Sequence, residues 1–341
     1  MSREDRKDNR KLDRKWIALA AGILALALVL GAARAQPLPE VIQTLAARDA
    51  NLLEAQRGLT AAQDELRKQQ ADPDAPPLAV TRAQENLALA QARLAAAQAG
   101  AENTVVENYT ALLEAQAALN LAQKRLEQAN LRLEAVRLRR QAGAISQADL
   151  TAAEAAQGRA TSDLARARNT LALAQARIPD VEGRPLPEAP ALPPGLSWEN
   201  NLARLQAQHA VREAERAVAL ASGPDTPPLE VAARERSLES ARTTLADLER
   251  TLRQAFDAAQ NRYAAAQQAY TLAQRDLDQA RQALAAARSR LQAGALSRLD
   301  FLQSEIGVLE AESALTSALA EVWKARQGVI VAARGTSTGG G

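Results

Sequence analysis

Apolar residues recur along this chain at alternating steps of three and four. One run is Leu112, Ala115, Leu119, Ala122, Leu126, Ala129, Leu133 and Val136. A second lies 151 positions later, at Tyr263, Ala266, Tyr270, Ala273, Leu277, Ala280, Leu284 and Ala287. This is the seam of packed helices, and alternating a large residue with alanine lets neighbours approach closely. A shorter run follows each: Leu150, Ala153, Gln157, Ala160, Leu164, Ala167, Leu171, Ala174 and Ile178, then Phe301, Ser304, Val308, Ala311, Leu315, Ala318, Val322, Ala325 and Val329. The pattern predicts helices over about 40–70, 78–140, 147–177, 197–222, 229–291 and 298–333. Pro73, Pro76 and Pro77 separate the first two, and six prolines from Pro179 to Pro194 make 179–196 an extended linker.

Two stretches repeat nearly word for word. Arg140-Gln141-Ala142-Gly143-Ala144-Ile145-Ser146-Gln147-Ala148-Asp149-Leu150 returns as Arg290-Leu291-Gln292-Ala293-Gly294-Ala295-Leu296-Ser297-Arg298-Leu299-Asp300-Phe301. Pro73 and Pro224 share the 151-residue offset of Gly143 and Gly294, so a whole unit is duplicated. Each glycine stands where a helix closes in a positive-φ residue. Ser146 with Asp149, and Ser297 with Asp300, read as S-x-x-D boxes opening the next helix. Ile145 with Leu150, and Leu296 with Phe301, have the spacing of a hydrophobic staple.

The lengths give a shape. Residues 78–140 make a rod of roughly 95 Å. In each unit the two shorter helices, laid end to end, match the long one. The fold class expected is all-α: two tandem repeats of long antiparallel coiled-coil helices, each with a split second arm. Proline loops lie at one end and glycine turns at the other, and the linker crosses near mid-height. Only one strong seam is evident per long helix. Gln116, Gln123, Asn130 and Arg137 run beside the first, repeated as Gln267, Gln274, Arg281 and Arg288, a line that suits a wet lumen or solvent.

This arrangement resembles the TolC-like outer membrane efflux protein family. The twin turns carry the resemblance, with the leading stretches Leu45-Ala46-Ala47-Arg48-Asp49-Ala50-Asn51-Leu52, Asn200-Asn201-Leu202 and Glu213-Ala214-Glu215. The resemblance covers 40 to about 333. It implies a trimer forming a hollow helical tube across the periplasm. At its inner-membrane-facing tip Gly143, Ala144, Ile145, Ser146 and Asp149, with Gly294, Ala295, Leu296, Ser297 and Asp300, would contact a periplasmic adaptor (membrane fusion) protein coupled to an inner-membrane pump. One departure stands out. The family places a β-hairpin between the first two helices of each repeat, where this chain has only 71–77 and 223–228. A membrane strand takes roughly 9–11 residues, so this is a barrel-less variant. Either a separate outer-membrane pore completes it, or the envelope differs from the usual plan, or the duct function has been lost.

Composition changes the picture little. Only 2% of the 341 residues are aromatic and none is cysteine, which suits long alanine-rich helices and excludes thiolate chemistry. Residues 1–35 read as an export signal: a basic start, the apolar run Trp16 to Leu30, and Ala33-Arg34-Ala35 as the cleavage motif. Much of the chain's basicity sits in that segment, so nothing points to nucleic acid. The division expected is 1–35 signal peptide, 36–178 first helical repeat, 179–196 linker, 197–333 second repeat and 334–341 flexible tail. Localisation would be the periplasm or the outer-membrane-associated envelope. No phosphate loop, no nucleophile with a base, and no metal-ligand cluster is evident, so no enzyme, cofactor or metal site is expected. The lone histidine, His209, reads as surface; Tyr263 and Tyr270 read as packing, and Trp198 as the anchor where the linker returns to helix. The conduit role, in efflux or type I secretion, has one alternative: a non-channel coiled-coil spacer or scaffold of the envelope, held by an uncleaved N-terminal helix.

Overall fold

The structure, a computed structural model, describes residues 38–179, 181, 183–189, 191–223 and 226–336. The expected signal and most of the tail lie outside the described residues. Seven α-helices follow in order: α1 (Leu38–Ala46), α2 (Ala50–Ala71), α3 (Pro77–Gln141), α4 (Gln147–Arg177), α5 (Leu202–Ala221), α6 (Pro228–Gln292) and α7 (Arg298–Arg334). A 3-10 turn, Trp198–Asn200, leads into α5. No strand occurs among the described residues, and none of their helices is long and apolar enough to cross a membrane.

The two long helices are 65 residues each and start the same way, with proline in the first turn, where a missing N–H costs nothing. At 1.5 Å per residue each spans roughly 98 Å. Helix α3 packs against α2 along its first half and α4 along its second, and α6 likewise against α5 and then α7. The expected seam positions are all buried or half-buried. Ala122, Leu164 and Ala167 form one step of the α3–α4 seam, and Leu112, Ala115 and Ala174 another.

Two expectations are corrected. The first helix is not continuous over 40–70, because it breaks at 47–49. There the Asp49 side chain accepts from Leu52 N–H at 3.0 Å and caps a new helix. Helix α1 thereby turns onto α3, burying Leu38 and Val41. The second correction concerns seams. Helix α3 also packs against α7 of the other repeat, so both of these helices have two covered faces. On α7, Val322 and Val329 meet Phe256 and Tyr263 of α6, while Leu319 and Trp323 meet Tyr109 and Leu113 of α3.

The linker crosses the middle of the stave. Tyr109 Oη donates to Arg184 O and accepts from Arg184 N, both at 3.0 Å. Trp323 Nε1 donates to Pro187 O at 3.1 Å. Gly183 lies so close to α3 that a Cβ there would come within 2.6 Å of the Gln116 amide and 2.9 Å of Leu113. Gln116 therefore faces the linker, whereas Gln123, Asn130 and Arg137 are exposed. Trp198 packs in the α6–α7 cluster under the Arg204 guanidinium, 5.4 Å from the ring centroid. Tyr263 is buried and Tyr270 half-buried, both in packing roles.

Candidate docking site at the glycine turns

Each long helix ends in the same way. Gly143 has φ +72° and Gly294 +71°. Gly143 N donates to Arg140 O at 3.0 Å and Ala144 N to Arg139 O at 2.9 Å. Gly294 N donates to Leu291 O at 3.0 Å, and Ala295 N to Arg290 O at 2.8 Å. These paired bonds are a Schellman closure, which satisfies the last carbonyls of the helix. A Cβ at either glycine would meet nothing within 4 Å, so glycine is required by backbone conformation and not by crowding.

The N-cap serine of the next helix follows three residues later. Ser146 Oγ accepts from Asp149 N at 3.2 Å, while Asp149 Oδ2 accepts from Ser146 N at 3.0 Å and from its hydroxyl at 2.7 Å. The Ser146 hydroxyl and backbone hold the Asp149 carboxyl below its ordinary pKa. Ser297 and Asp300 repeat the hydroxyl bonds at 3.1 and 2.6 Å. Ile145 and Leu296 are half-buried, and Phe301 is buried beneath the Arg298 guanidinium. Arg140 Nη1 donates to Ile145 O at 3.3 Å, bracing the first turn. Gly143, Ala144, Ser146, Asp149, Gly294, Ala295, Ser297 and Asp300 are exposed. Arg298, in the first turn of α7, lies 3.9 Å from Glu127 of α3, so both turns point toward the same end, with the second set back along α3 by roughly 20 Å. The result is a pair of short, rigid, exposed knuckles.

The other end holds a polar clasp that sequence reading missed. Glu85 of α3 takes both nitrogens of Arg216 of α5 at 2.6 and 2.9 Å, and Arg212 at 3.3 Å. Glu213 takes Arg82 at 2.9 and 3.2 Å and Arg216 at 2.6 Å. His209 Nε2 stands 3.7 Å from Glu85, with its side chain only 26% exposed, so it belongs to this interhelical contact and not to the free surface. Glu85, His209 and Glu213 place ligand atoms within 4.8 Å of one another, but three arginines already occupy the two carboxylates. The arrangement ties the repeats together electrostatically. The signal was present in sequence: His209, Arg212, Glu213 and Arg216 share one helix face by their spacing.

Below the linker, α3 and α7 are joined by further polar pairs. Lys324 meets Glu114 at 3.2 Å, Arg125 meets Glu310 at 2.8 Å, and Lys124 meets Glu305 at 3.5 Å. This interface was illegible as a heptad because much of it is charged.

A long helix packed along its length against a split arm, duplicated, with a helical knuckle closing each copy, is the fold of the helical part of known outer membrane channel proteins. Three solved structures share this fold. The Campylobacter jejuni CmeC outer membrane channel superimposes with a TM-score of 0.64 at 13% identity, over 87% of this chain and 85% of that one. CusC, described through its folding and transmembrane channel formation, gives 0.62 at 16%, over 87% and 95%. The outer membrane protein VceC of Vibrio cholerae gives 0.61 at 16%, over 88% and 96%. No protein-family model matches the chain, and no curated protein does either. At these identities the likeness is one of fold.

Proposed function

We propose that this chain is the helical conduit component of a tripartite efflux or type I secretion system in the cell envelope. Copies assemble edge to edge into a trimer, with the outer face of α6 in one copy meeting the outer face of α2 and α4 in the next. The units 36–178 and 197–333, joined by 179–196, act as the two staves each copy contributes. After export directed by 1–35, the assembly stands in the periplasm or against the outer membrane. Its glycine-turn end docks a periplasmic adaptor coupled to an inner-membrane pump. Gly143, Ala144, Ile145, Ser146, Asp149 and their copies Gly294, Ala295, Leu296, Ser297 and Asp300 make that contact. A separate outer-membrane pore supplies the barrel. The chain does no chemistry, and the pump supplies the energy.

The observation that carries this reading is the fold shared with CmeC, CusC and VceC along nearly the whole chain, joined to two rigid exposed turns at one end. That these neighbours are outer membrane or channel proteins supports transport over catalysis. Gly143→Asp tests it in cells that export through this protein. The turn is exposed with open space around it, so the variant folds at a strain cost of about 1 kcal/mol from the positive φ, and export is expected to stop. Unchanged export with Gly143→Asp and Gly294→Asp combined would leave the spacer role as the better account.

A further inference from the structure

The knuckles carry a charge pattern that turn formation does not need. From 137 to 150 the sequence holds three arginines and one aspartate, and from 288 to 301 again three and one. Arg137 and Arg139 recur at the same repeat positions as Arg288 and Arg290. The two aspartates are spent on the serine caps. Of the arginines, Arg140 braces its own turn, Arg298 reaches toward Glu127, and Arg137 makes only an exposed pair with Glu154 at 3.5 Å. Arg139, Arg288 and Arg290 are exposed and make no ion pair or side-chain hydrogen bond among the described residues. Leu138, between Arg137 and Arg139 in the chain, is 60% exposed. An arginine in a last helical turn favours the helix dipole. That term falls off within a turn and does not account for Arg137 and Arg288 as well.

We propose that the glycine-turn end receives an acidic protein surface, with carboxylates that pair with the Arg137/Arg139 and Arg288/Arg290 couples around an apolar residue seated beside Leu138. This rests on the docking role given to the turns above and adds the chemistry of the partner. Arginine suits the role because its planar fork binds a carboxylate through two parallel hydrogen bonds. A second copy of this end is excluded as occupant by like charge. An anionic membrane surface is disfavoured. Surface-seeking helices pair their cations with a broad apolar face, whereas here Phe301 is buried and only Leu138 protrudes.

Two synthetic antiparallel helical hairpins with one common core test this, one carrying four glutamates around its loop and the other four lysines. Fluorescence anisotropy with the full chain at low salt is expected to show the glutamate hairpin binding at least tenfold more tightly. Raising the salt to about 0.5 M, where the screening length falls to a few ångströms, should close that gap. R139E/R290E should reverse the preference and R139Q/R290Q abolish it, while R236E at the far end should leave it unchanged. Equal binding of both hairpins, or a preference indifferent to R139E/R290E, overturns the charge proposal and leaves docking standing. Binding of neither hairpin overturns the proposal and the docking role together. Phosphatidylglycerol vesicles displacing the glutamate hairpin through the same arginines would assign the patch to a membrane instead.

Discussion

Helices α3 and α6 are copies of one element, yet one is a core and the other an edge. The buried residues of α6 are Phe256, Tyr263, Ala273, Leu277 and Ala287, all on the face toward α7. Helix α3 buries the corresponding seam and a second face as well: Val106, Tyr109, Thr110 and Leu113. At the same repeat positions α6 has Asp257, Gln260, Asn261 and Ala264, all exposed. Nearer the proline end, buried Ala96 and Ala99 correspond to exposed Asp247 and Arg250. Duplication supplied two equal rods, and divergence wrote into each whether it has one neighbour in the chain or two. The uncovered flank of α6 is polar, so whatever meets it there meets hydrogen-bonding groups, as α7 does where it meets α3 through Arg125–Glu310 and Lys124–Glu305.

The sharpest way to break this contrast is at position 109 and its copy. Tyr109→Ala removes a fully buried ring and strands the Arg184 amide and carbonyl. The expected cost is about 3–5 kcal/mol, read from denaturant melts followed by circular dichroism. Gln260→Ala on α6 should change stability by less than about 0.5 kcal/mol. Similar costs at both positions would refute the core-and-edge reading.

The clasp comes next. Glu85→Gln breaks a largely buried carboxylate from Arg216 and Arg212, for an expected loss of about 2 kcal/mol at neutral pH. The Arg216 hydrogen bond holds the Glu85 carboxyl below its ordinary 4.5. A depressed folded-state pKa means that this stabilisation is complete above about pH 4.5 and fades as pH falls through the folded value. Thermal melts from pH 7 to 3 should therefore show a steeper acid loss in the parent than in Glu85→Gln.

Smaller still is the turn. Gly143→Ala and Gly294→Ala should each cost about 1 kcal/mol, through strain at positive φ with no clash. The two costs should match, because the turns are equally exposed although their helices are not. Smallest is Arg125→Ala, which removes an exposed pair with Glu310 and should cost below about 1 kcal/mol.

The helices, the duplication, the split arms and both turns were legible because each rests on local rules: period, proline, positive-φ glycine and serine caps. What escaped was tertiary. The break at Asp49 is signalled only by a capping residue inside an otherwise continuous pattern, and α1 leaves the rod because Leu38 and Val41 find a better site against α3. The second face of α3 escaped because its partners alternate between apolar residues at mid-height and ion pairs below, so no single hydrophobic period marks it. His209 looked superficial among polar neighbours, since only the approach of α3 brings Glu85 to it.

The bare flank of α6 should be covered by another copy of this chain. Light scattering on the purified protein across a concentration series tests it most directly. A stable mass of three chains is expected, dissociating when α6 is given two bulky cations by Gln260→Lys with Asp257→Lys. A monomer at every concentration, unchanged by those substitutions and by adding the adaptor, would contradict it.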